Sequence, residues 1–192
     1  RAENDAVRSR LASGGADFSL FSHLEGVARG TLSPERIAAG LRRLPEFVTN
    51  WNAWRLGVID NLRGKGAVNK LTIINDDAWF KNQAYVQGLF ELEHDEALIF
   101  ETTIPEECRY WGFHLADEQT TTLDWMNRQT SVNGFTARHD KDGKVRIVIS
   151  ARDPGVPNWL DVVEHRTGMI SGRWKDCSDY PVPALSKVKT DE

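Results

Sequence analysis

The sequence predicts an α+β protein in which an N-terminal helical segment precedes an antiparallel β-sandwich or jelly-roll-like domain. Apolar residues recur at helical spacing up to residue 66 and alternate at strand spacing after it. The charge changes at the same point, from a net of +3 over residues 1–66 to −7 over residues 67–192. We therefore predict a helical segment over residues 1–66 and a β domain over residues 67–192.

Three short amphipathic helices are predicted in the first segment. Asp17 can cap the first helix, and Ser33-Pro34 supplies a cap and a first-turn proline for the second. Pro45 is predicted to open the third helix, which ends at Gly64. Short amphipathic helices bury little by themselves. We therefore expect them to form a homo-oligomer or to associate with a missing N-terminal half.

Six or seven strands are predicted after residue 66, because the apolar runs there are short and separated by turn-forming residues. His94-Asp95 indicates a hairpin turn, and Asp140–Gly143 indicates a turn in which the glycine takes positive φ. A short helix is predicted near Thr120–Thr122, and regular structure is predicted to end at Tyr180–Pro183. The predicted strands are Leu71–Ile74, Tyr85–Glu93, Glu96–Thr103, Arg109–Leu115, Ser131–His139, Lys144–Ser150 and Gly168–Trp174.

Composition and motifs exclude several classes of protein. A net charge of −4 and a pI near 5.8 give no general attraction to nucleic acid or to an anionic membrane. No apolar run approaches the roughly 20 residues that cross a bilayer. Phosphate-binding, serine-hydrolase and zinc-protease motifs are missing, so we expect neither a cofactor nor a metal. Cys108 and Cys177 lack paired spacing, and we expect free thiols in a cytoplasmic protein.

His114 is the first candidate catalytic residue. It shares the less apolar face of its strand with Tyr110 and Gly112, and a strand glycine leaves room for a ring or a ligand. In the functional interpretation, Tyr110 and His114 flank a bound small molecule and His114 acts as acid or base. In the alternative, which we favour, His114 is a half-exposed strand histidine beside a glycine bulge.

Asp161 and His165 form a second candidate pair, because they stand four residues apart. In a helical turn over Trp159–His165 the carboxylate would orient the imidazole and raise its pKa. This would be half of a catalytic triad or of a metal site, and a surface pair is the commoner alternative. Asn158 is expected to pin the preceding proline-rich loop more than to bind substrate. We favour Trp159 as a packed clasp over a substrate platform.

Arg128 lies in a polar run with Asn127 and Gln129, which we group as candidate substrate-binding residues. Its guanidinium could clamp a substrate carboxylate or hold two segments together by pairing with Asp124 or Asp161. Arg173 has the same two interpretations. The sequence leaves both open.

Several motifs occur together between residues 83 and 185. They are Arg109-Tyr-Trp111, Asp124, Asn127–Asn133, Asp142-Gly143 with Val145–Ile149, Asp153–Asp161, His165, Gly168 and Arg173-Trp174. In combination they resemble the C-terminal region of a bacterial family called domain of unknown function twelve-fourteen. The resemblance implies a jelly-roll-like β fold but no established activity, so no catalytic residue is carried over. Glu164 is a departure, since the resemblance implies a small residue there, often glycine.

Two functional hypotheses remain. The first is a cofactor-independent enzyme that acts on a small, aromatic or polycyclic organic acid by lyase-type or hydrolytic chemistry, with aromatic side chains stacking on the substrate. The second is a non-catalytic ligand-binding or assembly module. Convergence of His114, Asp161 and His165 on one concave pocket would favour the enzyme.

Overall fold

The fold is α+β, as predicted. A computed structural model describes residues 33–74 and 81–190, and the helix predicted after Asp17 lies outside them. In these ranges one helix, α1 (Pro34–Gly64), precedes nine strands. The strands are β1 (Thr72–Ile74), β2 (Gln83–Glu91), β3 (Glu96–Thr102), β4 (Cys108–Ala116), β5 (Ser131–Asn133), β6 (Val145–Ser150), β7 (Trp159–Asp161), β8 (Thr167–Cys177) and β9 (Ala184–Lys189).

Helix α1 begins and ends where the sequence predicts, but it does not stop at Pro45. The Ser33 hydroxyl accepts a hydrogen bond from the Arg36 N–H at 3.3 Å, as an N-cap does. The predicted boundary at Pro45 is wrong, because the helix continues through this residue. A proline removes one helical hydrogen bond, yet its fixed φ is itself helical, so it does not force a chain reversal.

Cα–Cα proximity divides the chain into two compact units, Arg1–Asn50 and Trp51–Glu192, and the boundary lies within α1. The predicted division at residue 66 stays a prediction. In the described part of the first unit, α1 exposes the apolar side chains of Ile37, Leu41, Leu44 and Val48.

The second unit contains a β-sandwich whose sheets are not closed. Sheet I has the strand order β1-β2-β8-β4-β5, and sheet II has the order β7-β6-β3-β9. Every pairing is antiparallel except that of β6 with β7. The inward faces enclose one apolar core, in which Phe113 contacts Phe100 at 4.6 Å and Trp174 at 5.7 Å between ring centroids.

The predicted hairpin at His94-Asp95 is wrong. Strand β2 pairs with β1 and β8, whereas β3 pairs with β6 and β9, so the chain crosses here from sheet I to sheet II. Alternation shows that each strand has a core face, but it does not show which strand lies beside it. Strand β2 lies in sheet I and β3 in sheet II, so the apolar face of each strand is buried in the core between the two sheets.

Other local predictions also need correction. Strand β5 ends at Asn133 and pairs with β4, although the turn at Asp140–Gly143 is present with φ of 80° at Gly143. Residues 120–122 are not helical, and Thr122 forms a β-bridge with Ala116. The short strand β7 was not predicted. Strand β9 follows the predicted end of regular structure because it pairs with the exposed edge of β3.

The prediction of two free thiols is wrong. Cys108 and Cys177 are directly opposed on β4 and β8 and form a disulfide across 69 residues of sequence. Disulfides persist in oxidising compartments. The cytoplasmic location therefore stays a prediction without the support of free thiols. Within the described ranges, no helix has the length and apolarity that a membrane crossing requires.

Candidate functional site

The outward face of sheet I is covered by the last turns of α1. Ile59 and Leu62 of the helix pack on Leu89, Ala116 and Met169, which belong to β2, β4 and β8. Because successive strand residues alternate between faces, these three side chains point away from the sandwich core. Sheet I is thus buried on both sides at this end.

A cavity of about 760 Å³ extends from this contact between α1 and sheet I. All of its described lining residues belong to the second unit. Its apolar and aromatic walls combine helix residues with outward residues of the sheet. These are Trp54, Val58, Leu62, Ile74, Tyr85, Ala116 and Met169.

The strand register gives the cavity floor a polar row. Thr72, Gln87, Ser171 and His114 are successive cross-strand partners on β1, β2, β8 and β4, and all four line the cavity. The Thr72 hydroxyl donates to the Gln87 carbonyl at 3.2 Å, whereas the side chains of the other three make no hydrogen bond within the described ranges. The floor therefore offers unused hydrogen-bonding groups.

Different rows border this polar row on its two sides. On one side, Leu89, Met169 and Ala116 form the apolar contact with α1. On the other side, Ile74, Tyr85, Arg173 and Gly112 are aligned across the same four strands. The floor thus changes from apolar through polar to aromatic and cationic.

His114 lies half-buried in the cavity wall. Burial lowers its pKa below the ordinary 6.5, and the nearby Arg173 charge lowers the pKa further. The imidazole has no hydrogen-bond partner among residues 33–74 and 81–190. It is therefore available to a ligand, but no carboxylate in those ranges orients it as in a catalytic triad.

Two cations near the cavity are not neutralised within the described part of the chain. The Arg173 guanidinium lies 5.0 Å from the centroid of the Tyr85 ring, in a cation–π contact, and has no carboxylate partner there. Lys65 lines the cavity and likewise has no ion-pair partner in the described ranges. Among the described lining residues, none is acidic. The cavity is therefore suited to an anion.

The gap predicted between Tyr110 and His114 is filled. A Cβ atom built on Gly112 would lie 2.7 Å from the Tyr110 hydroxyl oxygen, so the end of the Tyr110 ring covers this glycine. Gly112 thus makes room for a ring of the protein. The Tyr110 hydroxyl has no hydrogen-bond partner among the described residues.

The helical turn predicted from Asp161 to His165 is wrong. Strand β7 ends at Asp161, and the His165 N–H then donates to the Val162 carbonyl at 2.9 Å to close a β-turn. Asp161 is buried and its carboxylate accepts hydrogen bonds from Val163 N at 2.7 Å and Arg128 Nη1 at 3.2 Å, whereas His165 is exposed. The structure brings neither of them to the cavity that His114 lines.

The other predicted substrate-binding residues fasten loops together. Asn158 makes three hydrogen bonds of 2.7–2.8 Å to the backbone of Arg138 and Arg146, and Asn127 donates to the Asp124 carboxylate. Gln129 donates to the Trp159 carbonyl at 2.6 Å, and the Trp159 indole donates to the Ser150 carbonyl at 3.2 Å. Together with the Arg128–Asp161 ion pair, these contacts agree with the structural roles expected for Asn158 in the loop, Trp159 as a clasp and Arg128 as a link between segments. Binding roles for these residues stay predictions.

Glu164 occupies a backbone conformation that favours glycine. Val163 and Glu164 have φ of 50° and 63°, the positive values of a type I′ turn. A left-handed φ destabilises a non-glycine residue by about 1–2 kcal/mol. Glycine avoids this strain, but it loses more conformational entropy on folding, so only part of the difference is gained. We expect Glu164→Gly to raise the free energy of unfolding by roughly 0.5–1 kcal/mol in urea denaturation.

Glu106→Gly is the control for this prediction, because Glu106 is exposed and has no positive φ. It should leave stability unchanged or lower it. Equal effects of the two substitutions would contradict the account of the turn.

Lys65, Tyr85, Gln87 and Ser171 line the cavity but were not predicted as candidate site residues. A signal was present in β2, where the apolar Ala84 and Val86 alternate with Tyr85 and Gln87. In the described ranges, no three His, Cys, Asp or Glu side chains are grouped as metal ligands would be.

The fold and the cavity define a β-sandwich protein with a pocket of ligand size on the outer face of one sheet. Residues 89–173 match the family described as "Protein of unknown function (DUF1214)", which confirms the predicted resemblance over that range. The comparison with curated proteins gives no match.

Solved structures extend the similarity. An uncharacterized protein from Burkholderia cenocepacia is 30% identical in sequence, with a TM-score of 0.76. The similarity covers 84% of this chain and 46% of the Burkholderia chain. A protein from Vibrio parahaemolyticus is 17% identical, with a TM-score of 0.47, over 83% of this chain and 47% of its own. The chain spans about half the length of these two proteins.

Proposed function

We propose that residues 51–190 bind a small organic acid with an apolar, ring-bearing body in the cavity between α1 and sheet I. The observation that supports this is the described lining, which joins apolar walls to Lys65 and contains no acidic side chain, while Arg173 lies against the lining residue Tyr85. The volume of about 760 Å³ lies within the usual range for small-molecule sites. Within the described lining, no acidic side chain would repel a ligand carboxylate.

The walls favour a flat, apolar ligand body. Trp54 of α1 and Tyr85 of β2 add aromatic rings to the lining. Met169 adds a polarisable side chain that adapts to ring edges. Gln87 and Ser171 supply hydrogen-bonding groups on the floor, which orient a ligand more than they attract it.

Binding is tested with two ligands that share one body. Calorimetry would compare naphthalene-2-carboxylate with the neutral naphthalene-2-carboxamide at constant ionic strength. We expect the acid to bind about tenfold more tightly, since a desolvated charge pair adds roughly 1.4 kcal/mol or more. Failure of both compounds to bind, or tighter binding of the amide, would contradict the proposal.

Catalysis is a second candidate function, and it depends on His114. The His114 imidazole lines the cavity without a hydrogen-bond partner in the described part of the chain, so it is suited to exchange a proton with a bound acid or water. Lyase-type or hydrolytic chemistry would then be independent of Asp161 and His165. Mass spectrometry of the acids after incubation tests it: product formed by the protein but not by His114→Gln supports catalysis.

Association through the first unit is a separate proposal. Ile37, Leu41, Leu44 and Val48 follow one another at steps of four, three and four residues, so they share one exposed face of α1. We propose that this face joins two copies of the chain. Light scattering should give a dimer that Leu41→Glu converts to monomer, and a wild-type mass of 21.7 kDa would contradict this.

A further inference from the structure

We infer that the carboxylate of the ligand binds against Arg173, Tyr110 and His114 around Gly112, and that binding places a proton from solvent on His114. This inference rests on the proposed function and adds the position of the charged group. It also makes affinity dependent on pH. The three side chains are called the head-group subsite below.

The register brings the three donors together. Gly112 is the cross-strand partner of Arg173, and His114 is the partner of Ser171, so Arg173 and His114 are diagonal neighbours on one face. Diagonal positions stand about 7–8 Å apart, within reach of long side chains. The Tyr110 hydroxyl lies over Gly112. Because Gly112 has no side chain, the hydroxyl can occupy the space beside Arg173 and His114.

All three donors are uncommitted in the described part of the chain. Arg63 pairs with Glu118, Arg128 with Asp161 and Arg166 with Glu93, whereas Arg173 has only its contact with the Tyr85 ring. That contact leaves the N–H groups of the guanidinium free to donate. The Tyr110 hydroxyl and the His114 imidazole also lack hydrogen-bond partners there.

The head-group subsite adjoins the cavity through His114, the one of its three side chains that lines it. His114 and Tyr85 both line the cavity, and Arg173 stacks on Tyr85. An acid with its ring between Trp54 and Met169 therefore has its carboxylate directed toward this end. The carboxylate would then lie at the row that contains Tyr85 and Arg173, and the ligand body would lie nearer the apolar contact with α1.

The charges around His114 determine the proton linkage. Among the described residues, the charged or titratable groups on the elements around it include Lys65 of α1, Tyr85 of β2, Tyr110 of β4 itself, Arg173 and Lys175 of β8, and Asp117 and Glu118 of the loop after β4. Asp117 caps its own loop and Glu118 pairs with Arg63. Strands β1 and β5 add no titratable side chain, and Arg173 is the charge that most disfavours the imidazolium.

A bound carboxylate reverses this balance. It neutralises Arg173 and adds a negative charge beside the imidazole, and both effects raise the pKa of His114. Between the free and the bound pKa, binding takes up as much as one proton. Affinity should therefore increase as pH falls through the bound pKa and become constant below the free pKa.

The test is calorimetry of naphthalene-2-carboxylate in buffers of different ionisation enthalpy from pH 5.5 to 8.5. We expect proton uptake in wild type and none in His114→Gln. Arg173→Gln should weaken binding of the acid about tenfold or more and barely change binding of the amide. Tyr110→Phe, which keeps the aromatic ring and removes the hydroxyl, should weaken binding of the acid by a smaller factor.

Lys175→Gln is the matched control. Lys175 lies on the same face of β8, two residues from Arg173, but its ammonium group already pairs with Asp176 at 2.6 Å. This variant should bind the acid like wild type. The inference is overturned if Lys65→Gln abolishes the preference for the acid over the amide while Arg173→Gln does not. It is also overturned if the wild-type protein takes up no proton on binding. In both cases the proposed function stands. Failure of both acid and amide to bind overturns both.

Discussion

Replacing Trp174 with alanine is expected to lower the free energy of unfolding by about 3–5 kcal/mol, the usual cost of truncating a fully buried tryptophan. Trp174 is 0% exposed and contacts the rings of Trp111 and Phe113 in the sandwich core. Its indole N–H also donates to the Pro181 carbonyl at 3.1 Å, so truncation leaves that acceptor without its partner. Urea denaturation measures the loss.

Two further variants keep this prediction testable if Trp174→Ala does not fold. Trp174→Phe retains an aromatic ring but not the hydrogen bond, and it should give an intermediate loss. Trp125→Ala removes a side chain that is 66% exposed, and it should change stability by no more than about 0.5 kcal/mol. Similar stabilities of the Trp174 and Trp125 variants would contradict the position of the core.

Ser171→Trp is expected to abolish binding of naphthalene-2-carboxylate. Ser171 lies between Gln87 and His114 in the polar row, and it lines the cavity. An indole at this position occupies the space that the ligand body requires. The existing cavity accepts the added ring with little overpacking, so we expect thermal stability to change much less than affinity. Calorimetry and thermal denaturation measure the two effects.

The same substitution elsewhere provides the control. Ser186 is exposed on β9 of sheet II, and Ser186→Trp adds an indole to a strand that does not line the cavity. It should leave binding unchanged. Unimpaired binding by Ser171→Trp would mean that the ligand lies elsewhere.

Local patterns predicted those features of the fold that depend on neighbouring residues. Strict alternation in β4 correctly separated Trp111 and Phe113 from Tyr110 and His114, because a strand exposes successive side chains to opposite faces. The cap at Ser33 was likewise predicted correctly, because capping is a local hydrogen bond. Features that require strand order were not predicted.

Strand order explains the main errors. The Cys108–Cys177 disulfide follows from the adjacency of β4 and β8, which no local pattern reports. The same adjacency makes Arg173 a cross-strand partner of Gly112 and a diagonal neighbour of His114, whereas the sequence analysis treated Arg173 and His114 as separate candidates. Asp161 and His165 show the opposite error, since a four-residue spacing suggested a pair that the β-turn separates.

Binding of a small organic acid between α1 and sheet I can be observed at the cavity itself by methyl NMR. The chain has two methionines. Met169 lines the cavity and is 3% exposed, whereas Met126 is 76% exposed and does not line it. With ¹³C-methyl methionine, titration with naphthalene-2-carboxylate should shift the Met169 resonance through the ring current and leave Met126 unmoved. A saturable shift of Met126 alone, or calorimetric binding with no shift of Met169, would contradict the account.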